Sequence, residues 1–388
     1  MSKTAVIFGA GKIARGFIAH LLTISGYQIT FVERNDLLVG LLKRRRSYAV
    51  QIMGAPEKNI IISGFEVLSA MDGHVADRLA TADVVFVSIG GPNLPEIVPQ
   101  LAAGVRRAYE LDRKVPLNII LCENYFQPAK WLREMMTEQL HGAEAVWFHD
   151  NIGIVESMVL RSTIEPTEEM KAHDPLSLGA QDMWELPVDK SAFVGAIPEV
   201  QGLSPKDGLK AGLVRKLFTY NSINAVICYS GYLRGYRLLS EAANDPELAT
   251  LARTAAEEGS GAMCHEFGFD PQEQREFAEA ALAKYQKREI VDPIERNARD
   301  PIRKLGRHDR LVGPACLAIE YGIQPVALST GIAVALRYDH SGDPSAVRLQ
   351  KSLRELGLSV VLETVCGLDP VGALAVLITE SLRATNFL

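Results

Sequence analysis

The sequence predicts two domains of different class: an α/β unit built on a parallel, doubly wound sheet over residues 1–204, and a mainly α-helical unit over 205–388. Three observations predict it. The chain opens on a short β-branched run that enters a glycine turn, "TAVIFGAGKIARGF". Strand-like and helix-like stretches then alternate, the pattern of a sheet with helices on both faces. Beyond residue 205 strand signals fade and apolar residues recur at helical spacing. At 388 residues the chain exceeds what one ordinary core supports, which agrees with two domains.

The opening stretch carries Gly9-x-Gly11-x-x-Ala14, with Lys12 and Ile13 inside the turn. The first glycine permits the tight turn and the second lets backbone approach a pyrophosphate. The small third residue packs helix on strand, and the helix N-terminus faces the phosphates. This is the fingerprint of a dinucleotide-binding, Rossmann-like domain. The next strand, "YQITFVE", ends in Glu33, where a carboxylate can accept from the ribose hydroxyls and repel a 2′-phosphate. NAD is therefore expected over NADP, although Arg34 follows directly and suits a 2′-phosphate.

Next, "SYAVQIMG" and "NIIISGFEVLSA" read as an inserted strand pair. Then "DVVFVSIGG" and "LNIILCEN" read as sheet strands, each preceded by a helical stretch, and "IGIVESMVL" as a later one. Ligands of such sheets lie beyond the C-terminal strand ends. That places Gly90, Gly91 and Asn124 among the expected cofactor contacts.

"GAIPEVQGLSPKDG" reads as the domain boundary, with Ser204-Pro205-Lys206-Asp207 as a helix start. "RKLFTYNSINAV" follows. On one helix, at roughly 100° per residue, Asn221 lies about 140° and Asn224 about 80° from Lys216, so all three can point into one cavity. The plainer alternative is that Lys216 follows Arg215 on a solvated face, as most lysines do. From this stretch alone both readings stand.

Composition narrows the function classes. The chain is 47% hydrophobic and 23% charged, with a formal net charge of −6. Such a balance gives no reason to expect nucleic acid or an anionic membrane as partner. The basic run Lys43 to Arg46 follows an apolar helical pattern and suits a helix C-terminus. Five scattered cysteines, none in C-x-x-C spacing, argue for a reducing compartment and against a disulfide framework or structural zinc. No ligand-spaced cluster suggests any metal. A cytoplasmic monomer or small homo-oligomer with a small-molecule substrate is the expectation.

Taken in order, "FGAGKIARGF", "PLNIILCEN", "RKLFTYN", "GFD" and "IERNARDPIRKLGRHDRL" resemble the polyol-specific long-chain dehydrogenases over nearly the full length. The resemblance implies an NAD-dependent, metal-independent oxidoreductase with Lys216 as general base. Asn221 and Asn124 would hold the reacting oxygen. It further implies a sugar-alcohol phosphate and a ketose phosphate as the substrate pair, mannitol 1-phosphate and fructose 6-phosphate. The chemistry is consistent, because a desolvated lysine loses its proton more readily and amide groups can steady an alkoxide.

The sequence also departs from the family. Members acting on mannitol 1-phosphate carry histidine eight residues after the lysine, where Asn224 stands here. They often carry glutamate two before it, where this chain has Val214. The family's "VDRI" becomes Val159-Leu160-Arg161-Ser162, without the aspartate. An unphosphorylated polyol or sugar acid as substrate, or a catalytically silent NAD- or sugar-phosphate-binding relative, are the alternatives these changes raise. "RDPIRKL" supplies Arg299, Arg303 and Lys304, a basic cluster suited to a phosphate or to a solvated face beside Asp300 and Asp309.

Overall fold

The structure is a computed structural model that describes residues 3–123, 125–164, 172, 174–288 and 292–384. The chain divides into two compact units, Met1–Lys210 and Ala211–Leu388.

The first unit is organised by a six-stranded parallel sheet. Its strands are β1 (Thr4–Phe8), β2 (Gln28–Glu33), β5 (Glu66–Ser69), β6 (Val84–Val87), β7 (Leu117–Leu121) and β8 (Ile152–Glu156). Their order is β5-β2-β1-β6-β7-β8, with Val6 opposite Thr30 on one side and Val85 on the other. Ala5 and Ile7 of β1 enter one hydrophobic core, Val6 and Phe8 the other. A strand buried on both faces needs the near-continuous apolar run that β1 has. The connection reverses between β1 and β6, so the C-terminal ends of these strands frame the site where such sheets bind ligands.

The inserted pair is present but divided. β3 (Ser47–Ile52) and β4 (Ile60–Ser63) pair antiparallel, and with β9 (Thr163–Ile164) and β10 (Leu178–Ala180) they make a separate four-stranded sheet. The rest of that stretch is β5, an edge of the main sheet. The basic run closes the Asp36–Arg45 helix, and Arg46 takes the left-handed cap position.

One expected helix start is a strand instead. Leu203–Lys206 is β12, parallel to β11 (Leu186–Asp189), and the helix begins only at Leu209. Pro205 lacks an N–H but its carbonyl and its neighbours still serve a two-stranded edge, where proline is tolerated.

The first helix after the glycine turn starts as a π-helical turn, Ala14–Ile18, and becomes α-helical over Ala19–Ile24. There the Gly16 carbonyl accepts from the buried Arg161 guanidinium, Nη1 at 3.2 Å. Arg161 is sandwiched between Phe17 and Trp184, 4.7 and 4.5 Å from their ring centres. Its Nε donates to the Met183 carbonyl at 2.6 Å. Burial lowers its pKa to about 10 and that of the neighbouring His20 to about 4.

Among its described residues the regular elements of the second unit are helices, joined by loops that carry one isolated bridge between Leu238 and Pro293. Of the four described helices that open on Asp-Pro, one is the short Pro301–Lys304 and three are long: Pro246–Phe267, Pro271–Gln286 and Pro344–Thr364. In each long one the aspartate caps a backbone N–H of the first turn while proline fills a position whose N–H has no helical partner. The Val326–Leu336 helix is apolar nearly all round and lies in the core, as such composition requires.

The segment around Lys216 is two helices, Leu209–Phe218 and Tyr220–Leu233, rather than one. The break is at Thr219, with φ −112° and ψ −74°. Its N–H still reaches the Arg215 carbonyl at 3.0 Å and its carbonyl takes the Ile223 N–H at 2.9 Å. The fully buried Gln274 explains the offset. Its amide donates to Thr219 Oγ1 at 2.9 Å and Ser260 Oγ at 3.0 Å, while its oxygen accepts from Arg215 Nε at 2.7 Å. The simple angular spacing from Lys216 to the asparagines therefore does not carry across Thr219.

Candidate active site

The glycine turn fits a dinucleotide. Gly9 has φ +90°, and a Cβ there would stand 2.3 Å from the Ser88 carbonyl oxygen, so only glycine is accommodated. A Cβ on Gly11 would meet no protein atom within 4 Å. The space over Gly11 is open, as the close approach of a pyrophosphate demands. Ala14 is wholly buried against the sheet and Ile13 packs at the edge of the same core. Lys12 is half-buried in the turn.

Beside the turn lies a cavity of about 310 Å³, lined in part by Gly9, Gly11, Glu33, Arg34, Asn35 and Ser88. Glu33 ends β2 at its wall. Its carboxylate accepts the Ala10 N–H at 2.7 Å and the Asn35 N–H at 2.9 Å, so it braces the turn while retaining lone pairs toward the cavity. Arg34 is ion-paired with Glu96, another lining residue. Two carboxylates on one wall disfavour a 2′-phosphate.

At the end of β6, Gly90 takes φ +87°, and a Cβ on Gly91 would fall 2.3 Å from Tyr125 Cγ. The Ile89 and Gly90 N–H groups donate to one oxygen of Glu123 at 2.7 and 3.1 Å. Burial pushes the Glu123 carboxyl up to about 7, against the two backbone bonds that favour its charged form. Asn124, the next residue, lies outside the described residues.

In the helical unit the plain alternative for Lys216 loses its premise. Arg215 does not lie on a solvated face: its guanidinium meets Gln274 and stacks on Phe277 and Phe269, 4.4 and 5.1 Å from the ring centres. Lys216 itself is half-buried. Its pKa is lowered, first by burial and then by the charge of Lys284, which sits over the Tyr220 ring. Asn221 is half-buried at the start of the following helix. Asn224, one turn on, is 9% exposed and donates through Nδ2 to Asn297 Oδ1 at 3.0 Å.

The three members of the basic cluster are engaged unequally by the protein. Lys304 is 5% exposed and donates to the Asn297 carbonyl, its ammonium over the Tyr229 ring and its pKa lowered by burial to about 8. The short Pro301–Lys304 helix turns consecutive side chains to different sides, which carries Lys304 inward. Arg303 is engaged by Asp300 at 3.0 Å and Asp309 at 3.3 Å. Arg299 alone of the three is exposed.

Comparison with known proteins accounts for both units. A family profile described as the mannitol dehydrogenase Rossmann domain matches residues 3–202, and the mannitol dehydrogenase C-terminal domain matches 209–358. The chain belongs to the mannitol dehydrogenase family. It is similar to a mannitol-1-phosphate 5-dehydrogenase of Bacillus licheniformis, 34% identical over 98% of this chain and 100% of that one. One from Brevibacillus brevis is 36% identical over 98% and 97%. Among solved structures the fold is that of Pseudomonas fluorescens mannitol 2-dehydrogenase in ternary complex with NAD and D-mannitol. The TM-score is 0.72 and the identity 15%, over 100% of this chain and 92% of that one. A D-sorbitol dehydrogenase follows at TM-score 0.64 and 16% identity, over 92% of this chain and 94% of that one.

Membership of this family, with a glycine turn and carboxylate wall of this kind, makes the chain an NAD-dependent oxidoreductase. Among the described residues no helix is long and apolar enough to cross a membrane, and no group of three or more His, Cys, Asp or Glu side chains could hold a metal. Two residues that the geometry singles out, one in each unit, are not legible as candidates in the sequence. Glu123 stood in a quoted strand-end motif, its signal being a carboxylate directly after an apolar strand. Asn297 stood within "IERNARDPIRKL", and nothing local distinguishes it from a surface asparagine.

Proposed function

We propose that the protein interconverts a sugar-alcohol phosphate and a ketose phosphate, with mannitol 1-phosphate and fructose 6-phosphate as the pair. The observation that carries the reading is the match to two mannitol-1-phosphate 5-dehydrogenases along nearly the whole of all three chains. NAD, when bound over Gly9 and Gly11 with its ribose at Glu33, supplies the acceptor for the hydride.

Lys216 is the general base. A base must hold a neutral amine near working pH, and burial together with Lys284 moves Lys216 in that direction. No hydrogen-bond or ion-pair partner occupies its amine among the described residues. It takes the hydroxyl proton during alcohol oxidation and returns it during ketose reduction. Asn221 and Asn224 steady the reacting oxygen from the next helix, and Asn124 joins them by its place in the family motif. The phosphate falls to Arg299, with the remaining N–H groups of Arg303 behind it. No step assigned to these residues calls for a metal.

A specific observation favours a second reading, an unphosphorylated polyol. Two of the three cations in the expected phosphate cluster are already committed to protein partners. The experiment is a steady-state assay of purified protein with NADH against a panel of ketoses and ketose phosphates. Turnover confined to fructose 6-phosphate supports the first reading. Turnover of fructose at equal efficiency replaces it with the second, and NADH binding without any turnover indicates a silent relative.

A further inference from the structure

Asn297 is held by three contacts, two of its side chain and one of its backbone. It belongs to the Ile294–Ala298 helix, and its Nδ2 donates to the Pro293 carbonyl at 3.1 Å. Its own carbonyl accepts the buried Lys304 ammonium. Its Oδ1 accepts from Asn224 Nδ2 at 3.0 Å. These contacts fix which way both amides face. A backbone carbonyl can only accept, so the Asn297 NH2 must point at Pro293 and its oxygen at Asn224. Asn224 must then spend a donor on Asn297, which turns its own Oδ1 the other way.

That oxygen has no partner among the described residues, and it is not one of the sealed polar atoms lacking one. It is an available acceptor on a side chain otherwise almost buried. Free to flip, an asparagine would offer a donor and an acceptor with similar ease. Held in this way, it offers an acceptor and one remaining N–H.

We infer that Asn297 is a positioning residue for the polyol site: it locks the Asn224 amide so that Oδ1 receives a substrate hydroxyl. The inference rests on the placement of Asn224 at that site made above. It predicts a preference for a substrate carrying a hydrogen-bond donor at that contact. Lys304 then acts through Asn297, holding its backbone, rather than on the substrate's phosphate.

The test combines kinetics with a readout that needs no turnover. Asn297→Leu removes the acceptor, whereas Asn297→Asp keeps an oxygen facing Asn224. On the ketose that the unaltered protein reduces best, Asn297→Leu should lower kcat/KM about tenfold, the scale of one lost polar contact. Asn297→Asp should stay within about threefold, and in an Asn224→Ala background Asn297→Leu should cost almost nothing more. NADH affinity, read by fluorescence titration, should not change. An equal loss in the Asn224→Ala background would show that Asn297 acts through general packing, and would overturn the inference. In parallel, selective 15N labelling of asparagine reads the Asn224 side-chain NH2. Its two protons should exchange faster in Asn297→Leu but stay protected in Asn297→Asp. If no ketose or polyol reacts, the functional reading fails while this measurement still decides the locked amide. Unchanged Asn224 signals in Asn297→Leu would refute it.

Discussion

Glu33 and Glu123 in the first unit bind backbone N–H groups, those of Ala10, Asn35, Ile89 and Gly90. Asn224, Asn297 and Gln274 in the second unit bind other side chains and carbonyls instead. The two candidate sites thus hold their polar groups by different means. In the nucleotide unit carboxylates brace glycine turns, and the shape of the main chain is what a ligand meets. In the helical unit the main chain is satisfied within helices, so the site must be assembled from amide and amine side chains. A backbone site tolerates change at any side chain that does not alter φ or block the turn. A side-chain site depends on each member.

The largest effect should come from the side-chain site. Lys216→Ala is expected to lower kcat by roughly a hundredfold or more with little change in NADH affinity, measured by steady-state kinetics and fluorescence titration. Oxidation by the unaltered enzyme should rise with pH through the depressed lysine pKa, and reduction should fall. The same depression has a cost in stability. A lysine with a folded pKa below its unfolded one adds stability only above the unfolded value and loses it as pH falls through the folded one. Lys216→Met should therefore raise Tm at pH 7, and the gain should shrink near pH 10.5. An inactive variant that is also less stable would count against the buried-base assignment.

Next in size is Arg299→Ala, expected to raise KM for fructose 6-phosphate about tenfold while leaving fructose unaffected. Equal effects on both sugars would move the phosphate elsewhere. In the backbone site, Glu33→Ala should narrow the preference for NADH over NADPH by several-fold, on the order of 1 kcal/mol for one lost charged contact. Unaltered protein that binds NADPH as tightly would make Arg34, not Glu33, the governing residue.

The smallest effect concerns Glu123. Its folded pKa lies near 7 against 4.5 in the unfolded chain. Its contribution to stability is full below 4.5 and is lost as pH rises through about 7. Glu123→Gln should therefore gain in Tm relative to the unaltered protein as pH goes from 5 to 8. A Tm difference that is flat with pH would assign Glu123 no titration in this range.

The backbone site was the legible one, for a physical reason. Gly9, Gly11 and Ala14 lie within six residues, and their requirement follows from local turn geometry. The alternation of strands is likewise a local signal, and it placed β1, β2, β6, β7 and β8 correctly. The Leu203–Lys206 strand was missed because a proline-bearing start outweighed a pairing partner that only the fold supplies. Thr219 was missed because its cause, Gln274, lies 55 residues away. The Asn224–Asn297 bond, 73 residues apart, and the Tyr229 ring under the Lys304 ammonium are equally non-local. Family motifs pointed to these segments but not to which side chain faces which.

Arg161 has a consequence for how the chain folds. Its bond to the Gly16 carbonyl spans 145 residues, and the Arg15 bond to the Leu176 carbonyl spans 161. The helix that follows the glycine turn is thus tied by contacts of very long sequence separation. Closing so long a loop is slow relative to forming local helices. The glycine turn, local in sequence, therefore leans on a helix whose completing contacts belong to the slow part of folding.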